Sequence, residues 1–460
     1  MTPVPATLLR DGRDLATLAV PLILTQLAQV ALTTTDTVMM GLLGTAELAA
    51  GGLAVVIFNQ VRTMGVGLLT SVGNQIATAA ARAEQAAPGP AADEERAEIR
   101  GLVRASMAVA TVAGLAGAAI MILIGQALTW LGQDAAIAAR TQHLLLALAP
   151  GLLPCLWFQA VRQFTVGMRR PQALLRITIG SVAVNAGLNW VFIHGTWGLP
   201  RLGLVGIGVA TSAVYLLSFL ALWLSARRDR PSASMLALNP ARARLATVKR
   251  VARLGVPIAA TYGSEAGFFS VTALMAGSFG PAALAAHTAV NQLVYIVFQI
   301  AVGLSHAASV NVSRELALGN LDAARRIRNT ALACAAAVMA VVGAAYLAFP
   351  GPVLAPFLRP DAGPAVAVAT QLLAIAAVLQ FFDCAQNIGV GLLRGLDDTA
   401  GGFRLTLIGY WAVGLPVSWL LAYALGLGTP GIWLGLLAGL AATAVLLLRR
   451  YSAALAARAA

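Results

Sequence analysis

Only three of the 18 acidic residues lie deep inside long apolar stretches: Asp36, Glu265 and Asp383. A carboxylate inside a membrane is expensive and is retained for what it binds. A proton, a small metal cation and a cationic substrate all favour such a group. Burial raises a carboxyl pKa and a nearby cation lowers it, so these ligands compete for it. Two acids close together hold one proton readily. Each acid also sits on a polar stripe when 100° is allowed per residue of helix. The stripes are Gln26, Gln29, Thr33 and Asp36, then Thr261, Ser264, Glu265, Phe268 and Thr272, then Gln380, Asp383 and Asn387. Thr178, Ser181, Asn185 and Asn189 form a fourth. None is wider than about 100°, so these faces should point at protein or water. Hydroxyls on them read most simply as interhelical glue. Asn185 and Asn189 fit glue or a site equally. Gln29, Thr33, Thr272 and Asn387 are candidate cavity residues beside the acids. Phe268 and Phe269 are candidates for contacting an aromatic cation, although an aromatic in a span is more often packing.

The elements that must position these groups are helices in a membrane. Of 460 residues, 59% are hydrophobic and only 11% charged, with mean hydropathy +0.81. Soluble domains carry roughly a quarter charged residues, so a soluble protein and a disordered one are both excluded. The expected fold is an all-α integral membrane protein. Twelve apolar runs qualify as spans of roughly 20 residues: 15–38, 48–73, 102–126, 141–166, 173–194, 203–226, 250–275, 284–308, 329–349, 366–392, 403–425 and 430–448. They are too long and too uniformly apolar for barrel strands. The first reads as a retained span and not a cleaved signal peptide.

Net charge is +13 and the pI is about 10.9. In a soluble chain this would point to nucleic acid; here it orients the chain, and no nucleic-acid partner is expected. Of 31 basic residues, 26 fall in the termini and even-to-odd loops, against Arg140, Arg201 and Arg359 on the other side. That split places both termini in the cytoplasm of an inner membrane. Arg162, near a span end, is expected to snorkel. Arg62 falls nearer mid-span and has no sequence-level account.

Residues 20–50 align without gaps on 256–286, with ten identities that include Pro21 with Pro257, Gly41 with Gly277 and Gly44 with Gly280. The offset of 236 also pairs Gly67 with Gly303. Six spans separate the copies, so direction is preserved and the repeats are parallel. The expected organisation is a first lobe over 1–226, a basic linker over 227–249 with Pro231 and Pro240, and a second lobe over 250–460. Two six-helix lobes around a cavity describe a secondary transporter. The acids are not duplicated: Asp36 falls on Thr272, Glu265 on Gln29, and Asp383 on Gln159. This predicts one acid in the first lobe and a two-acid site in the second.

Other chemistry is missing. Lys249 is the only lysine and its segment, "RLATVKR", has no glycine before it, so there is no P-loop for ATP. No H-E-x-x-H occurs, and His143, His194, His287 and His306 are dispersed, as polar packing would have them. Asp397–Asp398 stands alone beside Gly395 and reads as turn chemistry, which counts against a prenyl-transferring enzyme. Cys155, Cys334 and Cys384 form no disulfide framework. Asn311 heads a glycosylation sequon on the predicted cytoplasmic side, where it would not be used.

Residues 20–50, "VPLILTQLAQVALTTTDTVMMGLLGTAELAA", resemble the opening of the MATE (multidrug and toxic compound extrusion) family, as do 254–287. "FFDCAQNIGVGLLRGLDDT" at 381–399 resembles its NorM-type branch, and the regions 163–172 and 185–212 fit as well. The resemblance implies a monomeric antiporter, not an enzyme, exporting cationic amphiphilic compounds in exchange for H+ or Na+, with no cofactor. It implies ion-coupling roles for Asp36, Asn185, Asn189 and Thr211 in the first lobe. It implies the same for Glu265 and Asp383 in the second, where Na+ could sit. One position departs: Leu379 stands where some Na+-coupled members carry a tyrosine, so the aromatic part of a cation site is expected to be missing. A flippase for lipid-linked precursors is the alternative, although its cavity should be basic.

Overall fold

A computed structural model describes residues 4–130, 132–198, 200–229, 233–358 and 363–459, with side chains from residue 12 onward except Trp197. Arg230, Pro231, Arg359 and the side chain of Arg10 lie outside that description. The described residues form helices and turns with no strand. The long helices are α1 (Val4–Leu43), α2 (Thr45–Gln85), α3 (Pro90–Ala127), α4 (Ala135–Gly167), α5 (Gln172–His194) and α6 (Leu204–Arg228). After them come α7 (Leu245–Gly277), α8 (Pro281–Ala317), α9 (Leu321–Ala348), α10 (Gly363–Gly395), α11 (Thr399–Ala424) and α12 (Gly428–Ala459).

Several helices outrun their apolar stretches. α2 continues through "ATAAARAEQ", and α3 begins twelve residues before its apolar run, at "PAADEERAEIR". Ala, Glu and Arg are strong helix formers, so the helix persists where the membrane signal stops. Among the described residues eleven helices are long and apolar enough to cross a membrane. The twelfth expected span, in α7, has the length but not the hydropathy, because Thr261, Tyr262, Ser264, Glu265, Ser270 and Thr272 dilute it. Leu274, Val341 and Leu42 are more than 70% exposed while Asn185, Asn189 and Thr272 are fully buried. Apolar groups outside and amides inside is the arrangement a lipid solvent selects.

The chain divides into two compact units, residues 24–259 and residues 1–23 with 260–460. Both divisions fall inside helices, α1 and α7, close to Pro21 and Pro257. The first unit has its core in Met40, Phe58, Met121, Leu144, Leu148 and Ile207. The second has its core in Phe268, Leu372, Leu379, Tyr410, Trp433 and Leu440.

Glycines open two repeat-related helices and let other helices approach closely. Gly44 and Gly280 precede α2 and α8 with φ of 141° and 103°, a region that favours glycine. A Cβ on Gly303 of α8 would meet the backbone of Ile23 in α1 at 2.8 Å, and one on Gly255 of α7 would meet the Cα of Leu68 in α2 at 2.7 Å. Gly303→Val is therefore expected to destabilise the protein by about 3 kcal/mol through overpacking, against little for a Val at open Gly52. Thermal unfolding of both variants in detergent checks this.

Helix ends are tied by ion pairs. Arg140 reaches Glu47 at 2.8 Å and Arg250 reaches Glu98 at 2.6 Å. Arg170, in the α4–α5 turn, holds Asp229 at the end of α6 at 2.6 Å. Asp398, in the α10–α11 turn, holds Arg450 of α12 at 2.5 Å and caps α11 by accepting from Gly401 N.

Candidate functional site

In the first unit α1, α5 and α6 converge on one carboxylate. Asp36 is 6% exposed. The Nδ2 groups of Asn185 and Asn189, one helical turn apart on α5, donate to its Oδ1 at 2.7 and 2.8 Å. Thr211 Oγ1 on α6 donates to Oδ2 at 2.9 Å. The Oδ1 atoms of both asparagines are buried and have no hydrogen-bond partner. Unmet buried acceptors are costly, so this cluster presents oxygens that a cation or a donor would satisfy. Beside it lies a cavity of about 20 Å³ lined in part by Thr33, Asp36, Asn59, Thr211 and Tyr215. That is room for one water or a small ion, not for a drug.

In the second unit Glu265 (α7), Asp383 (α10) and Tyr410 (α11) form a cluster. Tyr410 OH donates to Glu265 Oε1 at 3.2 Å. Asp383 is 4% exposed, and Gln386 Nε2 donates to its Oδ1 at 3.3 Å. Asn387 Nδ2 donates to the Asp383 carbonyl oxygen at 3.1 Å and to Oδ1 at 3.4 Å. The charges of Glu265 and Asp383 lie within electrostatic reach of each other. Phe268 stacks on Tyr410 with ring centroids 4.9 Å apart, and Trp411 Nε1 donates to Ser264 Oγ at 2.8 Å.

The structure brings together Asp36, Asn185, Asn189 and Thr211, and separately Glu265, Asp383 and Asn387. It does not bring every expected residue to a site. Thr272 is fully buried and its hydroxyl donates to its own helix, at Phe269 O. Phe268 is a core residue and Phe269 packs on the same core. Gln29 is half-buried and does not line the Asp36 cavity, whereas Thr33 does line it, its Oγ1 donating to Gln29 O.

Sequence reasoning missed Tyr410, Trp411 and Gln386. Leu379 is buried in the core, but the expected loss of an aromatic does not follow, because Tyr410 supplies one from a different helix. Tyr410 lies in Ile408–Gly414, where the helix widens to π geometry. Such widenings concentrate at functional sites; the sequence signal was the aromatic pair between glycines in "GYWAVG". Gln386 sits one turn after Asp383 and was simply off the stripe. Two arginines also need correction. Arg162 does not snorkel: it is 3% exposed and donates to Gln159 and Gln26, both at 3.2 Å. Arg394 is not a loop cation but is 3% exposed, with Nε and Nη2 donating to Ser309 and Ser305 of α8. Arg62 Nε donates to Asn59 Oδ1 at 3.3 Å.

Tyr410→Phe keeps the ring stack and deletes the hydrogen bond. The expected effect is a weakening of cation binding at Glu265 by about 1 kcal/mol, roughly fivefold. Cation-concentration dependence of transport measures it, and unchanged dependence would remove Tyr410 from the site.

An all-helical membrane fold with carboxylates buried among neutral amides and hydroxyls defines a transporter. The MatE family model matches residues 21–191 and again 257–420, two copies that start 236 residues apart, the offset of the sequence repeat. The chain is 38% identical to the probable multidrug resistance protein NorM of Pseudomonas aeruginosa, over 93% of this chain and 86% of that one. It is 35% identical to the multidrug resistance protein NorM of Burkholderia vietnamiensis, over 97% and 95%. The crystal structure of the Vibrio cholerae MATE transporter VcmN in its bent form shares the fold, with a TM-score of 0.84, 16% identity and 98% coverage of both chains. This chain belongs to the MATE family, a family of transporters and not of enzymes.

Proposed function

We propose that the chain is a multidrug efflux antiporter of the cytoplasmic membrane. It exports cationic amphiphilic compounds in exchange for H+ or Na+. One observation carries the reading: the hydrogen-bond donors to Asp36, Glu265 and Asp383 are all neutral, being amides, a hydroxyl and a phenol. A buried carboxylate without a cation has a large desolvation cost. A proton, a sodium ion or a cationic drug removes that cost, and only one of them can do so at a time. Competition for the same charge is what couples the entry of one cation to the exit of another.

In this reading Asp36 with Asn185, Asn189 and Thr211 takes the coupling ion, since the adjoining cavity is too small for a drug. Hard oxygen donors around a carboxylate suit a small metal cation as well as a proton. Glu265 and Asp383 form the second cation site, with Tyr410 bonded to Glu265 and Trp411 to the adjacent Ser264. Residues 1–226 and 250–460 act as two lobes, joined by 227–249, with both termini cytoplasmic and the monomer as the working unit.

Proteoliposomes loaded with ethidium test this. An imposed Na+ or pH gradient, applied separately, should drive dye movement in at least one case. Dye that responds to neither gradient would overturn the exchange reading. Scrambling of a labelled lipid without any cation gradient would favour a flippase instead.

A further inference from the structure

Where α4 gives way to α5 the chain turns with Arg169 in left-handed backbone, φ 57°. This turn, the end of α4, the start of α5 and the end of α6 line an open cavity of about 450 Å³. Pockets of this size hold organic ligands. Phe164, Met168 and Ala226 give it an apolar lining, and Arg169, Arg170, Arg176 and Asp229 its charges. Arg170 is neutralised by Asp229, whose two oxygens lie 2.6 and 2.7 Å from its Nη1. The guanidinium groups of Arg169 and Arg176 have no acid or hydrogen-bond partner among the described residues. Both are exposed, so two positive charges stand unmatched at the mouth of a part-apolar cavity.

The level of this mouth is marked by α6 itself. Trp223 lies one turn before Arg227, whose guanidinium sits 5.7 Å from the indole centroid. Tryptophan and arginine together at a helix end mark the membrane–water boundary. The fold does not require the arginines. The corresponding turn of the second half, Leu396–Asp398, carries two acids instead.

We propose that this cavity binds the phosphate group of an anionic membrane lipid. Arg169 and Arg176 clasp the phosphodiester, and the lining of Met168, Ala173 and Ala226 takes the start of an acyl chain. Guanidinium forks suit phosphate oxygens, and basic pockets between spans are where anionic headgroups are held. Free phosphate would use the same two arginines but leave the apolar lining unused.

The test is native mass spectrometry of the full-length protein in detergent, titrated with phosphatidylglycerol, phosphatidylcholine or inorganic phosphate. The wild type should retain phosphatidylglycerol about tenfold better than phosphatidylcholine. Arg169→Asn with Arg176→Gln should lose that preference, while Arg449→Gln, on an exposed arginine elsewhere, should keep it. Arg176→Glu alone, on an exposed helix face, should act in the same direction and guards against a folding defect in the turn. Equal retention of phosphatidylglycerol by wild type and both cavity variants overturns the proposal. Inorganic phosphate binding as tightly as the lipid, and displacing it, overturns the lipid assignment.

Discussion

Asp36→Asn is expected to reduce dye efflux to the level of cells without the transporter, while the protein stays folded in the membrane. The substitution is nearly isosteric. It keeps an oxygen that can accept from Asn185, Asn189 or Thr211, but it removes the one negative charge in the cluster. A neutral amide costs far less to bury than a carboxylate, so stability should hold or rise by about 1 kcal/mol. Activity should fall by more than about tenfold, because each 1.4 kcal/mol of lost cation affinity is a factor of ten. Ethidium efflux from cells, immunoblots of the membrane fraction and thermal unfolding in detergent read the two sides. Full efflux at normal expression would remove Asp36 from the coupling machinery.

The second large effect concerns Glu265 and Asp383. Either Glu265→Gln or Asp383→Asn should lower coupled efflux by about tenfold or more. The double variant should be no worse than the weaker single, because groups that act on one ligand are strongly non-additive. The two charges are within reach of each other, and Tyr410 and Gln386 each anchor one of them. Losses that multiply instead would mean two independent sites. Initial efflux rates under a fixed Na+ or pH gradient, for the wild type and all three variants, decide it.

The helical membrane fold could be read from the chain because lipid forces each span to declare itself as a long apolar run. α7 is the instructive exception: its polar face lowers its hydropathy, and only the repeat with α1 marks it firmly as a span. The Asp36 cluster was legible because stripe and burial agree. The spacing of Asn185 and Asn189 showed a shared face and left glue and site open; only the family resemblance implied that they belong with Asp36. The second cluster was half legible. Glu265 and Asp383 announce themselves as acids in apolar runs, but Tyr410 looks like any interfacial aromatic until a neighbouring helix is placed beside it. Thr272 and Phe268 show the limit of periodicity, which finds the face but not whether a hydroxyl bonds to its own helix or a ring stacks into the core. Arg162 and Arg394 fail for a related reason: nearness to a span end says nothing about which amides or hydroxyls from another helix are waiting there.

The two turn-to-helix ion pairs have a consequence for how the chain assembles. In the first half the turn carries the arginine and the later helix the acid, Arg170 with Asp229. In the second half the signs are exchanged, Asp398 with Arg450. Sequence-similar segments inserted one after another into the same bilayer could mispair across the repeat. The α4–α5 turn would then meet α12, and the α10–α11 turn would meet the end of α6. The first error sets arginine against arginine and the second aspartate against aspartate. Opposite polarity in the two turns leaves each ion pair complete only with the partner from its own half.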